Sequence, residues 1–267
     1  MADLLTLLLG VLTGVMSALF GVGGAVISNP GLRALGASPL VTVGTTLPSI
    51  LPGAISGTLR YQRERLVAWP VVAWAASAGV AAAVAGSLLS HAVPGHGHAL
   101  LLLIAGLLAV NAWRTVRGGD GEDRRGDAPD EPDAPARGLP RGRGWPAALV
   151  GLAAGLLSGL LGVGGGVLLV PGFTELADLP LKSAIATSLV CVGVFGVPGT
   201  VTHALLGDVD WRAAALLTVG VIPGARLGAG LTVRIAEARL RLVVGCFLGV
   251  VAVAYAAVEA HALLAGP

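Results

Sequence analysis

The sequence is poor in charged residues. Only 12% of its 267 residues are Asp, Glu, Lys or Arg, whereas 55% are hydrophobic and the mean hydropathy is +0.84. Soluble domains carry about 25% charged residues, and a chain of this length could not hide so much apolar surface in a water-soluble fold. The shortage of charge therefore excludes an ordinary soluble protein and predicts an integral membrane protein.

Cysteines and acidic residues are scarce as well. The two cysteines, Cys191 and Cys246, lie in apolar runs, and a disulfide framework would need more of them. The apolar runs contain almost no Asp or Glu, so neither a carboxylate proton relay nor a sodium cage is visible. With no nucleotide-binding motif and no metal-ligand template, the sequence predicts no cofactor. With no basic patch on a soluble face, it predicts no nucleic-acid partner.

Apolar runs long enough to cross a bilayer, about 17–25 residues, recur along the chain. Two further regions, Leu4–Leu35 and Ala147–Leu176, are longer and are broken near the middle by glycines. The pattern predicts an all-α membrane protein with about eight transmembrane helices, or with six full spans plus two glycine-broken re-entrant or short helix pairs. The six clear runs are Thr42–Leu59, Trp69–Leu89, Ala99–Val116, Ala184–Leu205, Trp211–Val233 and Leu240–His261.

A hydrophilic stretch divides the apolar sequence into two parts. Residues 118–144 are rich in Gly, Pro, Asp and Arg and lack apolar periodicity, a composition that predicts a flexible linker. This linker would separate an N-terminal membrane repeat, residues 1–117, from a C-terminal membrane repeat, residues 145–267. The N-terminus lacks the positive charges of a signal peptide, so the first apolar run is expected to be retained.

The two halves repeat one sequence pattern. Residues of the first half recur 141 positions later, and after one added residue they recur 142 positions later. Internal repeats of this kind are typical of secondary transporters. The matched segments are Gly10–Ala25 with Gly151–Gly166, Pro30 with Pro171, Gly44–Leu47 with Ala186–Leu189, and Val67–Trp69 with Val209–Trp211.

The distribution of arginines indicates how the repeats are oriented. If each broken region crosses the membrane once, the repeats are parallel; if it forms a re-entrant hairpin or two short crossings, they are inverted. Cytoplasmic loops collect Arg and Lys. Inverted repeats place the Arg60–Arg65 segment, the linker and the Arg234–Arg241 segment on one side, whereas parallel repeats separate them. The charges therefore favour inverted repeats, with the linker in the cytoplasm and both termini outside.

The glycine-rich breaks are the first candidates for a binding site. Successive glycines disfavour a helix by about 1 kcal/mol each relative to alanine, and a break frees backbone N–H groups at the start of the next helix. These donors and the helix dipole favour an anion. The alternative is that the glycines only allow close helix packing. The candidates are Gly21, Gly23 and Gly24 in the first repeat and Gly162, Gly164, Gly165 and Gly166 in the second.

Hydroxyl groups and one arginine complete the predicted substrate site. Thr45 and Thr46 recur as Thr187 and Ser188, and hydroxyls can hold anion oxygens weakly enough to release them. The alternative is that they bond their own helix carbonyls. Arg226 stands alone inside a span, either as a counter-charge for the anion or with its side chain reaching the membrane surface.

One histidine is a candidate proton carrier. His203 ends an apolar run and occupies the position that Tyr61 has in the first repeat. A histidine at an aqueous edge can bind and release a proton near neutral pH. The favoured alternative is an interfacial residue without that role.

The breaks and the segments that follow them resemble the sulfite exporter family of membrane permeases, the TauE/SafE type. The resemblance is clearest at Gly162–Pro171, Ala186–Leu189 and Gly207–Trp211. The first repeat is a weaker copy, in which Ala25 replaces the third glycine of the break. The resemblance covers nearly the whole chain except the linker, and it implies a bacterial inner-membrane transporter of sulfite, sulfonates or related small organosulfur anions.

The sequence as a whole predicts a multi-pass permease, not an enzyme, that moves a small anion by alternating access. The expected partners are the anionic substrate and the lipid bilayer, and self-association as a homodimer is left open. Two other functions stay open: a membrane-embedded enzyme or assembly factor of sulfur metabolism, and a passive anion channel. Which anion is carried, in which direction and with which coupling ion is also open.

Overall fold

The described part of the chain is entirely helical. A computed structural model describes residues 2–90, 144–161 and 165–264, which confirms the predicted all-α fold. The first eight helices belong to one compact unit, and α9 belongs to a second. The helices are α1 (Ala2–Phe20), α2 (Ala25–Ala34), α3 (Pro39–Arg63), α4 (Trp69–Ser90), α5 (Trp145–Leu161), α6 (Gly166–Glu175), α7 (Leu181–Leu206), α8 (Trp211–Arg234) and α9 (Glu237–Leu264).

Four of the described helices are long and apolar enough to cross a membrane, namely α1, α4, α7 and α8. Helices α5 and α6 are shorter but also apolar, and α9 contains the predicted run Leu240–His261. The predicted run Ala99–Val116 and almost all of the predicted linker lie outside the described residues. The division into residues 1–117, 118–144 and 145–267 therefore stays a prediction.

Helix α3 is less apolar than the other long helices, and its polar side chains face protein. Its threonines and serines are nearly all inaccessible to solvent, and several of them bond helix carbonyls, as the Ser49 hydroxyl does to Thr46 O. A helix with this pattern occupies the interior of a bundle, where lipid does not touch its polar face. The buried hydroxyl residues of α3 are Thr42, Thr45, Thr46, Ser49 and Ser56.

The first broken region folds back on itself. Helix α2 runs antiparallel to α1, because the Cα atoms of Gly24 and Gly31 approach the side chains of Thr13 and Leu9 in reverse order. Helix α3 then begins at the end of the bundle where α1 began, since Thr45 and Asp3 both contact the start of α8. The region Leu4–Leu35 is therefore a re-entrant hairpin rather than a single crossing.

The second broken region repeats this hairpin. Gly165 approaches Ala154, and Gly172 approaches Val150. These contacts are the first hairpin's contacts moved along the chain by 141 residues, so the sequence repeat is also a structural repeat.

The two repeats are inverted, as the charge pattern predicted. Helices α3 and α7 occupy the same place in their repeats, and they run antiparallel: Gly57 contacts Leu189, Ala54 contacts Gly193, and Leu47 contacts Gly199. Equivalent helices that run in opposite directions require a pseudo-two-fold axis across the bundle. The structure thus excludes the alternative in which each broken region crosses the membrane once.

Each repeat gives its fourth helix to the other. Helix α8 of the second repeat packs along α1 of the first, and α4 of the first repeat packs along α5 of the second. Both pairs are parallel and close because glycines line the contact, as small residues do in membranes. The glycines are Gly10, Gly14, Gly220, Gly224 and Gly228 in the α1–α8 pair, and Gly79, Gly86, Gly151 and Gly155 in the α4–α5 pair.

The exchange produces two bundles that the pseudo-two-fold axis interconverts. The first bundle contains α1, α2, α3 and α8, and the second contains α4, α5, α6 and α7. The antiparallel contact between α3 and α7 joins them. Compact bundles and sequence repeats therefore do not coincide.

The two ends of the described unit differ in charge. One end, called the basic end, carries Arg60, Arg63, Arg65, Lys182 and Arg234, together with Glu64, Glu175 and Asp178. The Lys182 ammonium donates to Val233 O at 3.1 Å, which places the start of α7 beside the end of α8. The other end, called the acidic end, carries Asp3, Asp208 and Asp210 with Arg33 and Arg212.

Two alanine substitutions in α8 test the close helix contact. A Cβ atom at Gly228 would collide with the backbone of Val15 in α1, whereas one at Gly230 would meet nothing within 4 Å. We expect Gly228→Ala to lower the free energy of unfolding by about 1–3 kcal/mol through overpacking. Gly230→Ala should leave it unchanged or raise it by up to about 1 kcal/mol through helix propensity. Thermal unfolding in detergent measures both changes. Equal unfolding midpoints of the two variants would contradict the close contact between α1 and α8.

Candidate functional site

The two glycine breaks meet between the bundles. The first residue of α6, Gly166, lies directly against the backbone of Gly21 and Val22 in the first hairpin. The hydroxyl of Ser188 in α7 donates to Gly21 O at 2.9 Å. Gly21 also packs against the backbone of Ile185, which leaves no room for a side chain. Two predicted site residues of the second repeat, Gly166 and Ser188, thus contact a predicted site residue of the first.

Three glycines at the breaks adopt conformations that other residues avoid. Gly21 has φ +67°, Gly23 has φ +86° and Gly165 has φ +62°. Left-handed backbone of this kind turns the chain sharply at little cost only in glycine. These glycines are therefore required by the hairpin turns. Close helix packing is instead the role of the glycines in the α1–α8 and α4–α5 pairs. Gly162 and Gly164 lie outside the described residues.

The start of each re-entrant helix presents backbone donors. In α2, Ile27 N and Ser28 N bond to Gly24 O, and in α6, Leu168 N and Leu169 N bond to Gly165 O. The N–H groups that precede them have no partner within their own helix. Because the helix dipole adds positive potential at the same point, each start can hold an anion. These groups are the N–H groups of Ala25 and Val26 in α2 and of Gly166 and Val167 in α6, directly after the predicted site residues Gly24 and Gly165.

The surroundings of the first break are almost completely closed to solvent. All residues from Gly21 to Val26 are buried. A buried N–H group without a partner costs free energy comparable to that of a lost hydrogen bond. A ligand or an enclosed water molecule at this place would therefore be held by donors that the helix cannot satisfy.

Buried hydroxyls without partners lie in the same repeat. Thr13 Oγ1 and Thr46 Oγ1 form no hydrogen bond within the described part of the chain, although Thr13 is 1% and Thr46 0% exposed. Thr13 packs its methyl group against Gly24, so its hydroxyl lies beside the start of α2. Thr46 is the repeat partner of Ser188, the residue that bonds the first break. Both hydroxyls can donate to an anion.

Thr45 and Thr187 have a second task that the sequence did not reveal. Thr45 Oγ1 accepts from Asp210 N at 3.0 Å, and Thr187 Oγ1 accepts from Ala68 N at 3.1 Å. These bonds are equivalent by the repeat, and each anchors the start of an exchanged helix to the other repeat. Each threonine therefore fixes the exchanged helix within its own bundle: Thr45 fixes the start of α8, and Thr187 fixes the start of α4.

Arg226 lies apart from the other predicted site residues. It is exposed, and its neighbours along the same face of α8, Val219, Leu227 and Leu231, are exposed apolar side chains. The glycine face of α8 is the face that contacts α1. The structure thus favours the sequence alternative in which the Arg226 side chain reaches toward the membrane surface.

Sequence reasoning missed Thr13 and Asn29. Asn29 Oδ1 in α2 also has no hydrogen bond within the described residues. The repeat partners of these two residues are Ala154 and Val170. Polar residues that replace apolar ones at a repeated position were the signal that could have identified them.

No metal site is visible in the described ranges. Residues 2–90, 144–161 and 165–264 contain no group of three His, Cys, Asp or Glu side chains that could hold an ion. Cys191 is buried, and Cys246 is exposed.

Comparison with known proteins gives a consistent family. The family model described as sulfite exporter TauE/SafE matches residues 6–255. A probable membrane transporter protein of Xylella fastidiosa is 29% identical over 234 residues, which cover 86% of this chain and 85% of that protein. The probable membrane transporter protein YunE of Bacillus subtilis is 26% identical over 249 residues, 86% of this chain and 89% of that protein.

A larger relative contains a comparable segment. The probable membrane transporter protein MamO of Magnetospirillum gryphiswaldense is 31% identical over 268 residues, which cover 88% of this chain but 41% of that protein. No solved structure matches significantly.

A valine substitution tests the anchoring bond of Thr187. Thr187→Val keeps the shape of the side chain but leaves the backbone N–H of Ala68 without an acceptor. Ala68 is only 2% exposed. An unpaired buried N–H group costs about 1–3 kcal/mol, so the thermal midpoint in detergent should fall. The matched control is Ser77→Ala, which removes an exposed hydroxyl that bonds only Trp74 O one turn away. If both variants have the same thermal midpoint as the unchanged protein, Thr187 does not anchor α4.

Proposed function

Because the chain belongs to the sulfite exporter TauE/SafE family and is a multi-pass membrane transporter, we propose that it carries a small anion by alternating access. The proposed substrates are sulfite, a sulfonate or another small organosulfur anion, and the proposed location is the bacterial inner membrane. The observation that carries the proposal is the meeting of two inverted glycine breaks, at Gly21–Gly24 and Gly165–Gly166, between the two bundles.

The chemistry of the breaks suits a small oxyanion. The candidate donors are the backbone N–H groups at the starts of α2 and α6, which have no partner within their own helix, and the hydroxyls of Thr13 and Thr46, which bond nothing in the described residues. None of them carries a full charge, and the described charges of the first eight helices lie at the two ends of the bundles or, for Arg226, on the outward face of α8. Neutral donors would bind an anion without the strong ion pair that slows its release.

The two bundles provide the moving parts that alternating access needs. Across the α3–α7 seam, Ala54 faces Gly193, and Leu47 faces Gly199. These contacts are between small or apolar groups, which can slide or rock past each other, while the bonds of Ser188 to Gly21 O and of Lys182 to Val233 O would have to break during the motion. Each bundle carries one re-entrant helix, so relative rotation about the seam would open the central site first to one end and then to the other.

The charges at the two ends support an orientation. The basic end has five Lys or Arg residues against three acids, whereas the acidic end has two Arg residues against three acids. Because Lys and Arg accumulate on the cytoplasmic side, we assign the basic end to the cytoplasm and the acidic end to the outer face.

Anion flux with a threonine-to-valine variant tests the proposed site. Thr46→Val has nearly the shape of threonine and removes a buried hydroxyl that bonds nothing in the described chain, so the fold should be unaffected. A hydrogen bond to a charged group contributes about 1.5–3 kcal/mol, so the apparent KM for the anion should rise about tenfold or more. The measurement is uptake of labelled sulfite, sulfoacetate and thiosulfate into proteoliposomes.

The matched control for flux is Thr218→Val. The Thr218 hydroxyl bonds Ala214 O of its own helix, so its loss should leave KM unchanged. Saturable flux of one anion, weakened by Thr46→Val alone, supports a permease with its site at the breaks. Flux that rises linearly with concentration would instead favour a passive channel, and normal KM in Thr46→Val would remove that residue from the site.

Cysteine labelling tests the orientation. In a Cys246→Ser background the remaining Cys191 is buried, so new cysteines at Glu64 and Arg212 report the basic and acidic ends separately. We expect an impermeant maleimide to label Arg212→Cys in intact spheroplasts and Glu64→Cys only after the membrane is opened. Arg212 is 78% exposed in its side chain, so losing its ion pair should cost at most about 1 kcal/mol. The reverse labelling would overturn the assigned orientation.

A further inference from the structure

A pair formed by a buried histidine and a partly exposed carboxylate at the acidic end has no part in the mechanism above. His203 lies in the last turn of α7 and is 6% exposed, and its Nδ1 atom is 3.3 Å from Asp208 Oδ2. Asp208 follows Gly207, whose φ of +79° turns the chain out of the helix. The turn is closed by Asp208 N, which donates to His203 O at 3.1 Å.

The repeat symmetry indicates that the fold does not need this pair. The equivalent positions at the basic end are Tyr61 and Leu66. Tyr61 is fully buried and donates its hydroxyl hydrogen to Ala18 O. The same turn is therefore built at the basic end without a histidine or a carboxylate. A histidine paired with a carboxylate is thus present at only one of two equivalent places.

The pair also links the two bundles. His203 belongs to α7 of the second bundle, whereas the loop that carries Asp208 is fixed to α3 of the first bundle. The Asp208 carbonyl lies against the Cα atom of Gly44, and Asp210 N donates to Thr45 Oγ1 at 3.0 Å. The loop that carries Asp208 is thus bonded both to α7, through His203 O, and to α3 of the opposite bundle, next to Thr46 of the proposed site.

We propose that His203 and Asp208 bind the coupling proton of transport and latch the acidic end when they are protonated. This inference rests on the proposed function. In neutral His203 the Asp208 carboxylate accepts the Nδ1 hydrogen, which leaves the Nε2 lone pair free to bind one proton. The resulting imidazolium forms a charge-assisted hydrogen bond with Asp208, which is about twice as strong as a neutral one. Protonation of His203 therefore strengthens the contact at this end, and proton release weakens it.

The other charges near this pair are already engaged or carried by separate elements. Asp210 accepts from Arg212 N and Ala213 N at the start of α8. Arg212 pairs with Asp3 of α1 at 2.6 Å. On α2 the same end carries Arg33, and the residues of α3 that touch the loop, Gly44 and Thr45, are uncharged.

The test compares gradient-driven transport with exchange in proteoliposomes of the full chain. The probe is labelled sulfoacetate, whose charge is constant near neutral pH, with the membrane potential held at zero by potassium and valinomycin. In the unchanged protein, accumulation should shift about tenfold per unit of pH difference for one coupled proton, since about 1.4 kcal/mol corresponds to tenfold. His203→Gln keeps a hydrogen-bonding group beside Asp208, so it should retain sulfoacetate exchange but lose the response to the pH difference.

The controls separate this proposal from the proposed function. Asp3→Asn removes an exposed ion pair at the same end and should respond to the pH difference as the unchanged protein does. If His203→Gln also abolishes exchange, Asp208→Asn decides the question by the same two measurements. A pH response that persists in these variants, or exchange by the unchanged protein without any pH response, overturns the proton latch. Absence of both exchange and uptake in the unchanged protein overturns the proposed function itself.

Discussion

The fold depends on one constraint: a backbone interrupted inside a bilayer must find partners for its N–H and C=O groups, or it must face a protected cavity. Here the two interruptions face each other. Gly166 lies on the backbone of Gly21 and Val22, and the Ser188 hydroxyl satisfies Gly21 O. Each break thus supplies part of the polar surroundings of the other. A chain with one break would have to leave it open to lipid, which explains why the pattern occurs twice.

The contact between the two glycine breaks has consequences for the rest of the molecule. Two equivalent hairpins present the same face to each other about a two-fold axis, and the antiparallel crossing of α3 and α7 shows that this axis runs across the bundle and inverts one repeat. The exchange of α4 and α8 then encloses each hairpin within a bundle. Glycine-lined contacts bring α8 close to α1 and α4 close to α5. The bonds of Thr45 and Thr187 fix where α8 and α4 start. The inversion of the repeats and the exchange of α4 and α8 therefore together satisfy the constraint on the interrupted backbone.

Much of this architecture could be predicted from the sequence because repetition carries geometric information. The offset of 141 residues, the two breaks and the side on which arginines collect predict inverted repeats, and the structure confirms them. The exchange of the fourth helices could not be predicted, since the small residues of α1 and α8 show that each has a close neighbour but not which one. The same limit applies to Thr45 and Thr187, whose bonds reach loops of the opposite repeat. Arg226 was ambiguous because a single charge in a span does not show which face it occupies.

The departures from symmetry carry more functional information than the symmetry does. A symmetric scaffold would give both ends and both hairpins the same properties, and a transporter built that way could not distinguish its two sides. The differences fall on polar residues: Thr13 and Asn29 in the first repeat stand where the second has Ala154 and Val170, while His203 stands where the first has Tyr61. In each case the residue at the equivalent position forms the same helix or turn, so the secondary structure alone does not require the residue that differs. The proposed roles in binding the anion and the proton would give these three differences a common reason.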